Sequence, residues 1–285
     1  MEPGNELAAL LESLRLEELA PLRFRAAHAP GSAGVVFGGQ IMAQAIAAAV
    51  GVQPGKPVKT LHTVFARGAT VDEDMDVEVE EILAGRAFGS LTVTFRQHGK
   101  TCARSQVLLS ALEPDLVRHA VASDPVAGPD AAVVVGPYGH AGPWENRVVG
   151  GIDVALPEQE HPARLSVWSR WPGAPRNDVV SQQLLAWASD PWFIGISLLP
   201  HRGFGQSQAH HDFSTGVITH TLTFHEPFHA GDWLLLAQEV PHAGGGRAYG
   251  RAQVFTEDGR LVASYVQDAM ARHFPADLSR GAGAT

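Results

Sequence analysis

The chain has 285 residues, a formal net charge of −9 and a hydrophobic content of 45%. This composition is typical of a folded protein with a sizeable core, and the acidic balance argues against a nucleic-acid-binding domain, which usually carries a strongly basic face. The single cysteine, Cys102, excludes a disulfide framework and a cysteine-rich zinc site. The sequence shows neither a signal peptide nor an apolar run of the ~20 residues that span a bilayer. It therefore predicts a cytoplasmic protein without a membrane span.

Helices and strands are predicted in an order that occurs twice. A capped amphipathic helix is expected from Asn5 onward, and a helix that is apolar on nearly every face over 40–50. Four strands follow, and then a Pro- and Gly-rich stretch over 114–146 that predicts a linker. After the linker come two strands, a second apolar helix over 178–189 and four more strands. The predicted strands are 61–67, 75–83, 88–97, 101–112, 148–156, 164–171, 216–224, 233–240, 248–256 and 261–270.

An internal repeat carries the fold prediction. The segment Gly85-Arg86-Ala87-Phe88-Gly89 recurs as Gly246-Arg247-Ala248-Tyr249-Gly250, and similar strands and glycine-closed hairpins flank both copies. A repeat this long predicts two similar domains rather than a solenoid. A short helix that is apolar all round must be buried on most sides, so each half needs a sheet that wraps around it. The sequence therefore predicts an α+β protein with a tandem (double) hotdog fold, each half an antiparallel sheet wrapped around a buried helix.

The repeat also predicts the domain organisation. We expect an N-terminal hotdog with its leading helix over 1–113, a linker over 114–146, a C-terminal hotdog over 147–275 and a flexible tail over 276–285. A separate hotdog leaves an exposed strand edge, and exposed edges invite pairing. The two sheets are therefore expected to join edge to edge.

Motifs spread over nearly the whole chain resemble one known family. They are Val36-Phe37-Gly38-Gly39-Gln40, Leu61-His62-Thr63-Val64-Phe65, Trp187-Ala188-Ser189-Asp190, the segment 219–228 and the segment 258–267. In this order they are similar to motifs of the type II acyl-CoA thioesterases, which are double-hotdog acyl-CoA hydrolases. The resemblance implies an acyl-CoA substrate, hydrolysis by an activated water to a free fatty acid and CoA, and no cofactor or metal. It leaves open whether double-hotdog chains associate into a homo-oligomer.

The resemblance also implies a catalytic set in which an Asp, a Thr or Ser, and a Gln hold the attacking water. Asp190 matches the Asp and Gln267 matches the Gln. Asp190 ends an apolar helix and precedes Pro191, which cannot continue the helix. The helix dipole and the apolar neighbours are both expected to raise the pKa of Asp190 toward that of a general base.

The third position departs from the family pattern, because Val217 stands where the family has Thr or Ser. Strand alternation places Val217, Thr219 and Thr221 on one face, so either Thr219, the first candidate, or Thr221 is expected to supply the missing catalytic hydroxyl. Otherwise the site works with two polar members, or activity is lost.

The predicted substrate-binding residues lie at the start of the first apolar helix and in the central strands. Amides at a helix N-terminus can bind an oxyanion or a phosphate. These residues are Gly38, Gly39, Gln40, His62 and Thr221.

Other functions remain to be weighed against hydrolysis. Val217 motivates an acyl-CoA-binding protein that has lost catalysis, and a hotdog hydratase is a third reading for which the paired Asp and His are not seen. A metal site at His220, His225 and His229 is disfavoured, because alternation puts the first two on opposite faces of a strand. The sequence contains no Gly-x-Ser-x-Gly motif, so it does not indicate an α/β serine hydrolase.

Overall fold

The computed structural model of the chain describes residues 3–29, 34–136, 138 and 140–274. The predicted flexible tail over 276–285 lies outside the described residues. The α-helices are α1 (Pro3–Ser13), α2 (Gly38–Val52), α3 (Asp178–Ser189) and α4 (Trp192–Leu198). The strands are β1 (Leu16–Ala20), β2 (Arg23–Ala26), β3 (Val58–Phe65), β4 (Met75–Ala84), β5 (Phe88–Gln97), β6 (Lys100–Ser110), β7 (His140–Ala141), β8 (Trp144–Val148), β9 (Arg164–Arg170), β10 (Ser214–Phe224), β11 (Leu234–Gly244), β12 (Arg247–Thr256) and β13 (Leu261–Arg272).

One antiparallel sheet runs through both halves of the chain. Counted outward from its centre, the strand order is β3-β6-β5-β4-β2-β1 on one side and β10-β13-β12-β11-β9-β8-β7 on the other. The two central strands, β3 and β10, pair antiparallel with Leu61 opposite Leu222. The two sheets therefore join edge to edge, as the sequence predicted, and the repeat appears as the same strand order in each half.

The two apolar helices, α2 and α3, pack against each other inside this sheet. Ala43 and Ile46 in α2 and Leu184 and Ala186 in α3 are fully buried. The Gln183 side chain of α3 donates a hydrogen bond to the backbone carbonyl of Ala43. The first turn of α2 lies against the last turn of α3, so the helices run antiparallel. Most residues of each helix are buried between the other helix and the sheet, which confirms the predicted double hotdog.

Three of the differences from the sequence prediction concern short strands; a further one is the helix α4, which was not predicted. The hairpin β1–β2 has few buried side chains, so it lacks the alternation that predicts a strand. The strand predicted over 148–156 is wrong, since β8 ends at Val148 and a 3-10 turn follows with Gly150 at φ +75°. The short strands β7 and β8 lie partly inside the predicted linker, whose boundaries stay a prediction.

None of the helices in the described ranges is long and apolar enough to cross a membrane.

Candidate active site

A cavity of about 800 Å³ opens between the first turn of α2, the end of α3 and the start of β10. Much of its wall is apolar and includes Phe65, Ile194 and Met270. An apolar cavity with a few convergent polar groups is typical of a small-molecule site. The polar side chains that border it belong to Arg67, Tyr138, Asp190, Gln206, Ser207, His210 and Thr215.

Asp190 is the carboxylate of this cavity. It follows the last residue of α3, and only 4% of it is exposed. Burial raises the pKa of Asp190 to about 7, against the opposing effect of a hydrogen bond from the backbone amide of Gly39. Among the described residues Oδ1 has no hydrogen-bond partner. A carboxyl group that titrates near neutral pH and keeps one oxygen free can accept a proton from a bound water.

The first turn of α2 provides the backbone amides beside Asp190. Phe37 occupies the N-cap position without a side-chain capping bond, so the side chain there satisfies none of the amides of the first turn. The N–H of Gly39 donates to the Asp190 carboxylate. A Cβ on Gly39 would lie 2.8 Å from the Trp187 backbone, and one on Gly38 would lie 3.0 Å from Asp190 Oδ2. Gly38 thus borders the cavity, while the backbone N–H of Gly39 donates a hydrogen bond to the carboxylate.

Gln267 is linked to the end of α3 through a buried histidine. Its Oε1 lies 2.9 Å from His220 Nδ1, and His220 Nε2 lies 3.1 Å from the hydroxyl of Ser189, the residue before Asp190. Burial lowers the pKa of His220 to about 4, so the ring is neutral and has one donor and one acceptor nitrogen. Within the described ranges Gln267 Nε2 has no partner. Gln267 is buried beside this chain and does not border the cavity itself.

A β-bulge corrects the prediction for Thr219. Val217 pairs with Ala269 and Thr219 pairs with Asp268, so Ile218 is an extra residue in β10. A bulge of this kind shifts the alternation of side chains by one position. Val217 borders the cavity, but Thr219 lies on the outer face of the sheet, where its hydroxyl donates to Asp268 Oδ2 at 3.2 Å. The expectation that Thr219 shares the face of Val217 is wrong.

Two other predicted substrate-binding residues lie on the same outer face. His62 Nδ1 lies 2.8 Å from the Thr221 hydroxyl, and His62 borders a separate hollow of about 430 Å³ beside Arg104. The alternation that buries Leu61 and Thr63 turns His62 outward. The structure therefore does not bring His62 or Thr221 to Asp190.

Gln40 is also placed differently from its prediction. Its side chain is fully buried and accepts from the N–H of Ala29 while it donates to the carbonyl of Ala27. Both ends of the amide fasten the segment before α2, so Gln40 has a structural role and does not border the cavity.

Several cavity residues were missed by the sequence analysis. Tyr138 comes from the predicted linker, and Gln206 donates to its hydroxyl at 2.6 Å. Thr215 lies on the face of Val217, with its hydroxyl 3.2 Å from His210 Nε2. None of these residues belongs to a periodic pattern or a motif, because separate loops and strands bring them together in space.

The chain matches two family models that together cover most of its length. Residues 27–110 match the acyl-CoA thioesterase N-terminal domain, and residues 116–271 match the acyl-CoA thioesterase C-terminal domain. Acyl-CoA thioesterase 2 of Haemophilus influenzae is 29% identical, over 92% of this chain and 96% of that protein. Acyl-coenzyme A thioesterase 8 of Homo sapiens is 27% identical, over 96% of this chain and 92% of that protein.

Solved structures show the same relationship. The acyl-CoA thioesterase II TesB2 from Mycobacterium marinum aligns with a TM-score of 0.79 at 27% identity, over 94% of this chain and 100% of that one. A hotdog-fold protein from Alicyclobacillus acidocaldarius aligns with a TM-score of 0.75 at 18% identity, over 93% of this chain and 98% of that one, which supports the fold. With both halves matched in order and the double hotdog observed, the chain belongs to the acyl-CoA thioesterase family.

Proposed function

We propose that this protein hydrolyses fatty acyl-CoA to a free fatty acid and CoA. The observation that carries the proposal is the buried Asp190 carboxylate, which has an unpaired oxygen and borders an apolar cavity of about 800 Å³. An acyl chain suits an apolar wall, because burying it removes hydrocarbon from water. The names of the relatives support the same activity.

Asp190 acts as the general base in this reaction. It takes a proton from a water, and the oxygen of that water attacks the carbonyl carbon of the thioester. The C–S bond of the tetrahedral intermediate then breaks, and the proton passes from Asp190 to the leaving CoA sulfur. A pKa of about 7 suits both steps, because the carboxyl group can then accept and return a proton near neutral pH.

Two groups assist the carbonyl and the water. Gly38 borders the cavity at the first turn of α2, where amides and the positive end of the helix dipole stabilise a developing oxyanion. Gln267, to which the family resemblance gives the role of holding the water, does not border the cavity, so we assign it an indirect role. Its amide oxygen fixes His220, and His220 contacts Ser189 directly before Asp190. A side-chain amide can donate at one end and accept at the other, so its orientation decides which contact it makes.

Arg67 is the group that we assign to the CoA phosphates. It is exposed, it borders the cavity, and it forms no ion pair with the described carboxylates. Guanidinium groups bind phosphate oxygens through paired N–H donors. In a chain with a net charge of −9, a free arginine at the mouth of the cavity would favour the anionic end of CoA locally.

The competing function is acyl-CoA binding without catalysis, which Val217 motivates. A panel of acyl-CoA substrates of increasing chain length, assayed by release of the free thiol, distinguishes the two. Turnover by the wild type that is lost in Asp190→Asn supports hydrolysis. Saturable binding of the same ligands without thiol release would support the binding protein and overturn the proposed activity.

A cytoplasmic location and homo-oligomerisation of double-hotdog chains complete the proposal. The single cysteine, Cys102, is buried and unpaired, which suits a reducing compartment. Light scattering of the purified protein tests the association of chains.

A further inference from the structure

The proposed mechanism does not yet include a hydroxyl group that contacts the attacking water. Val217 borders the cavity where the resembling family has a hydroxyl, and valine cannot form a hydrogen bond. The bulge at Ile218 turns Thr219 to the outer face of the sheet. Tyr138, Ser207 and Thr215 carry three other hydroxyl groups that border the cavity. The hydroxyl of Ser207 already donates to the backbone carbonyl of Ala155 at 2.6 Å. One of these hydroxyls is therefore available to the reaction.

Tyr138 is held in place by contacts from the nearby strand β8 and from α4. Its ring packs edge-on against Trp192 of α4, with the ring centroids 5.0 Å apart, and tilts against Trp144 of β8 at 6.2 Å. Its backbone carbonyl accepts a hydrogen bond of 3.0 Å from the Asn146 side chain. These contacts fix the direction of the phenol, so its hydroxyl enters the cavity from a set position.

The hydrogen bonds of Gln206 show that the phenolic proton is free. Gln206 Nε2 lies 2.6 Å from the Tyr138 hydroxyl and 3.3 Å from the backbone carbonyl of Pro191. A carbonyl oxygen only accepts, so the amide nitrogen must face both groups. Tyr138 therefore accepts from Gln206, and its own proton has no acceptor among the described residues. In the same part of the chain, Asp190 Oδ1 has no donor.

Asp190 and Tyr138 are close enough to interact electrostatically. Burial raises the pKa of Tyr138 to about 12, and the negative charge of Asp190 adds to the increase. The phenol thus stays protonated and remains a hydrogen-bond donor at neutral pH. Thr215 differs, because its hydroxyl already lies 3.2 Å from His210 Nε2.

We propose that Tyr138 holds the attacking water opposite Asp190 and supplies the hydroxyl that position 217 lacks. This inference rests on the proposed hydrolysis. The water donates one proton to Asp190 and accepts the phenolic hydrogen bond of Tyr138. As that proton moves to Asp190, the hydrogen bond stabilises the negative charge that develops on the water oxygen. Tyr138 keeps its proton throughout, so Asp190 alone exchanges a proton with the water.

Tyr138→Phe tests the proposal, because it removes the hydroxyl and keeps the ring that packs on Trp192. We expect kcat for acyl-CoA hydrolysis to fall about 10²-fold, as for the loss of one preorganised donor, with KM and Tm little changed. Tyr249→Phe is the matched control, since Tyr249 is exposed on β12, and it should retain the wild-type rate. Val217→Thr in the Tyr138→Phe background should restore part of the lost rate, because it returns a hydroxyl to the cavity wall.

The alternatives have distinct outcomes. A Tyr138→Phe enzyme that retains the wild-type kcat overturns the role of Tyr138, and the role of Asp190 is then unaffected. A loss of about 10²-fold in Thr215→Val, with Tyr138→Phe at full rate, would assign the hydroxyl to Thr215. If Tyr138→Phe lowers Tm as well as kcat, and adding Val217→Thr does not restore activity, the role of Tyr138 is structural. A wild type that releases no thiol from any acyl-CoA overturns the proposed function and this inference together.

Discussion

Replacing Asp190 with Asn is expected to separate catalysis from stability. Asn has nearly the same shape, and its oxygen can still accept the N–H of Gly39, but it cannot take a proton from water. Loss of a general base typically costs about 10²–10⁴-fold in rate. We expect kcat to fall by such a factor while KM changes little, because the apolar wall of the cavity is untouched.

The same substitution is expected to stabilise the protein at alkaline pH. The pKa of Asp190 rises on folding from its ordinary value of 3.8 to about 7, chiefly because the carboxyl group is buried. Each pKa unit corresponds to about 1.36 kcal/mol, so ionised Asp190 lowers the free energy of unfolding by roughly 4 kcal/mol. This loss of stability is absent below pH 3.8, grows as the pH rises from 3.8 to about 7, and is complete above the pKa of about 7 that Asp190 has in the folded protein. Asn carries no charge, so the variant should gain up to that amount at about pH 8.

Activity and chemical denaturation, each measured from about pH 5 to pH 9 for wild type and variant, check both expectations. The wild-type kcat/KM should rise with pH to a plateau with an apparent pKa near 7, because the ionised carboxylate is the active form. Asp178→Asn, at the exposed start of α3, is the matched control and should change neither profile. A variant with nearly wild-type kcat would refute the role of Asp190 as base. A stability difference that is the same at every pH would refute the raised pKa.

Three further predictions concern the surroundings of Asp190. Gln267→Ala should lower kcat about 10²-fold by removing the partner of His220 and so misplacing the end of α3 that carries Asp190, and the pH profile of the remaining activity should keep its midpoint. Arg67→Gln should raise KM for acyl-CoA several-fold at low salt and less at high salt, as expected for a screened phosphate contact, whereas the control Arg176→Gln should not. Gly39→Ala should lower the free energy of unfolding by about 1–3 kcal/mol, because its Cβ would lie 2.8 Å from the Trp187 backbone; an unchanged denaturation midpoint would contradict this close approach.

Much of the fold follows from short-range patterns in the sequence. The helix α2 is apolar on nearly every face, so it could be recognised as buried without knowledge of its partners. The repeat of Gly85 to Gly89 in the second half predicted that the same set of strands occurs twice. Asp190 was singled out by the family resemblance, and its position at the end of an apolar helix, directly before Pro191, supported that choice.

The remaining features depend on contacts that a local pattern does not contain. The bulge at Ile218 shifts the alternation of β10 by one residue, and it alone decides that Thr219 leaves the face of Val217. Pro191 ends α3 as expected, but it also occupies the N-cap of α4, where a proline is tolerated because the first amides of a helix have no partner within it. Tyr138 has no local signal at all, because Trp192 and Gln206, more than 50 residues further along the chain, determine its position.

The two halves of the repeat also differ in how their helices begin. The helix α3 starts at Asn177, whose side chain accepts a hydrogen bond of 3.0 Å from the amide of Val180. The helix α2 starts at Phe37, which provides no such cap. Because the helices are antiparallel, the uncapped start of α2 meets the end of α3, and Gly39 donates to Asp190 instead of to a capping side chain. At the junction formed by the start of α2, the helix therefore has no capping side chain, and the Asp190 carboxylate lies beside its first turn at the edge of the cavity.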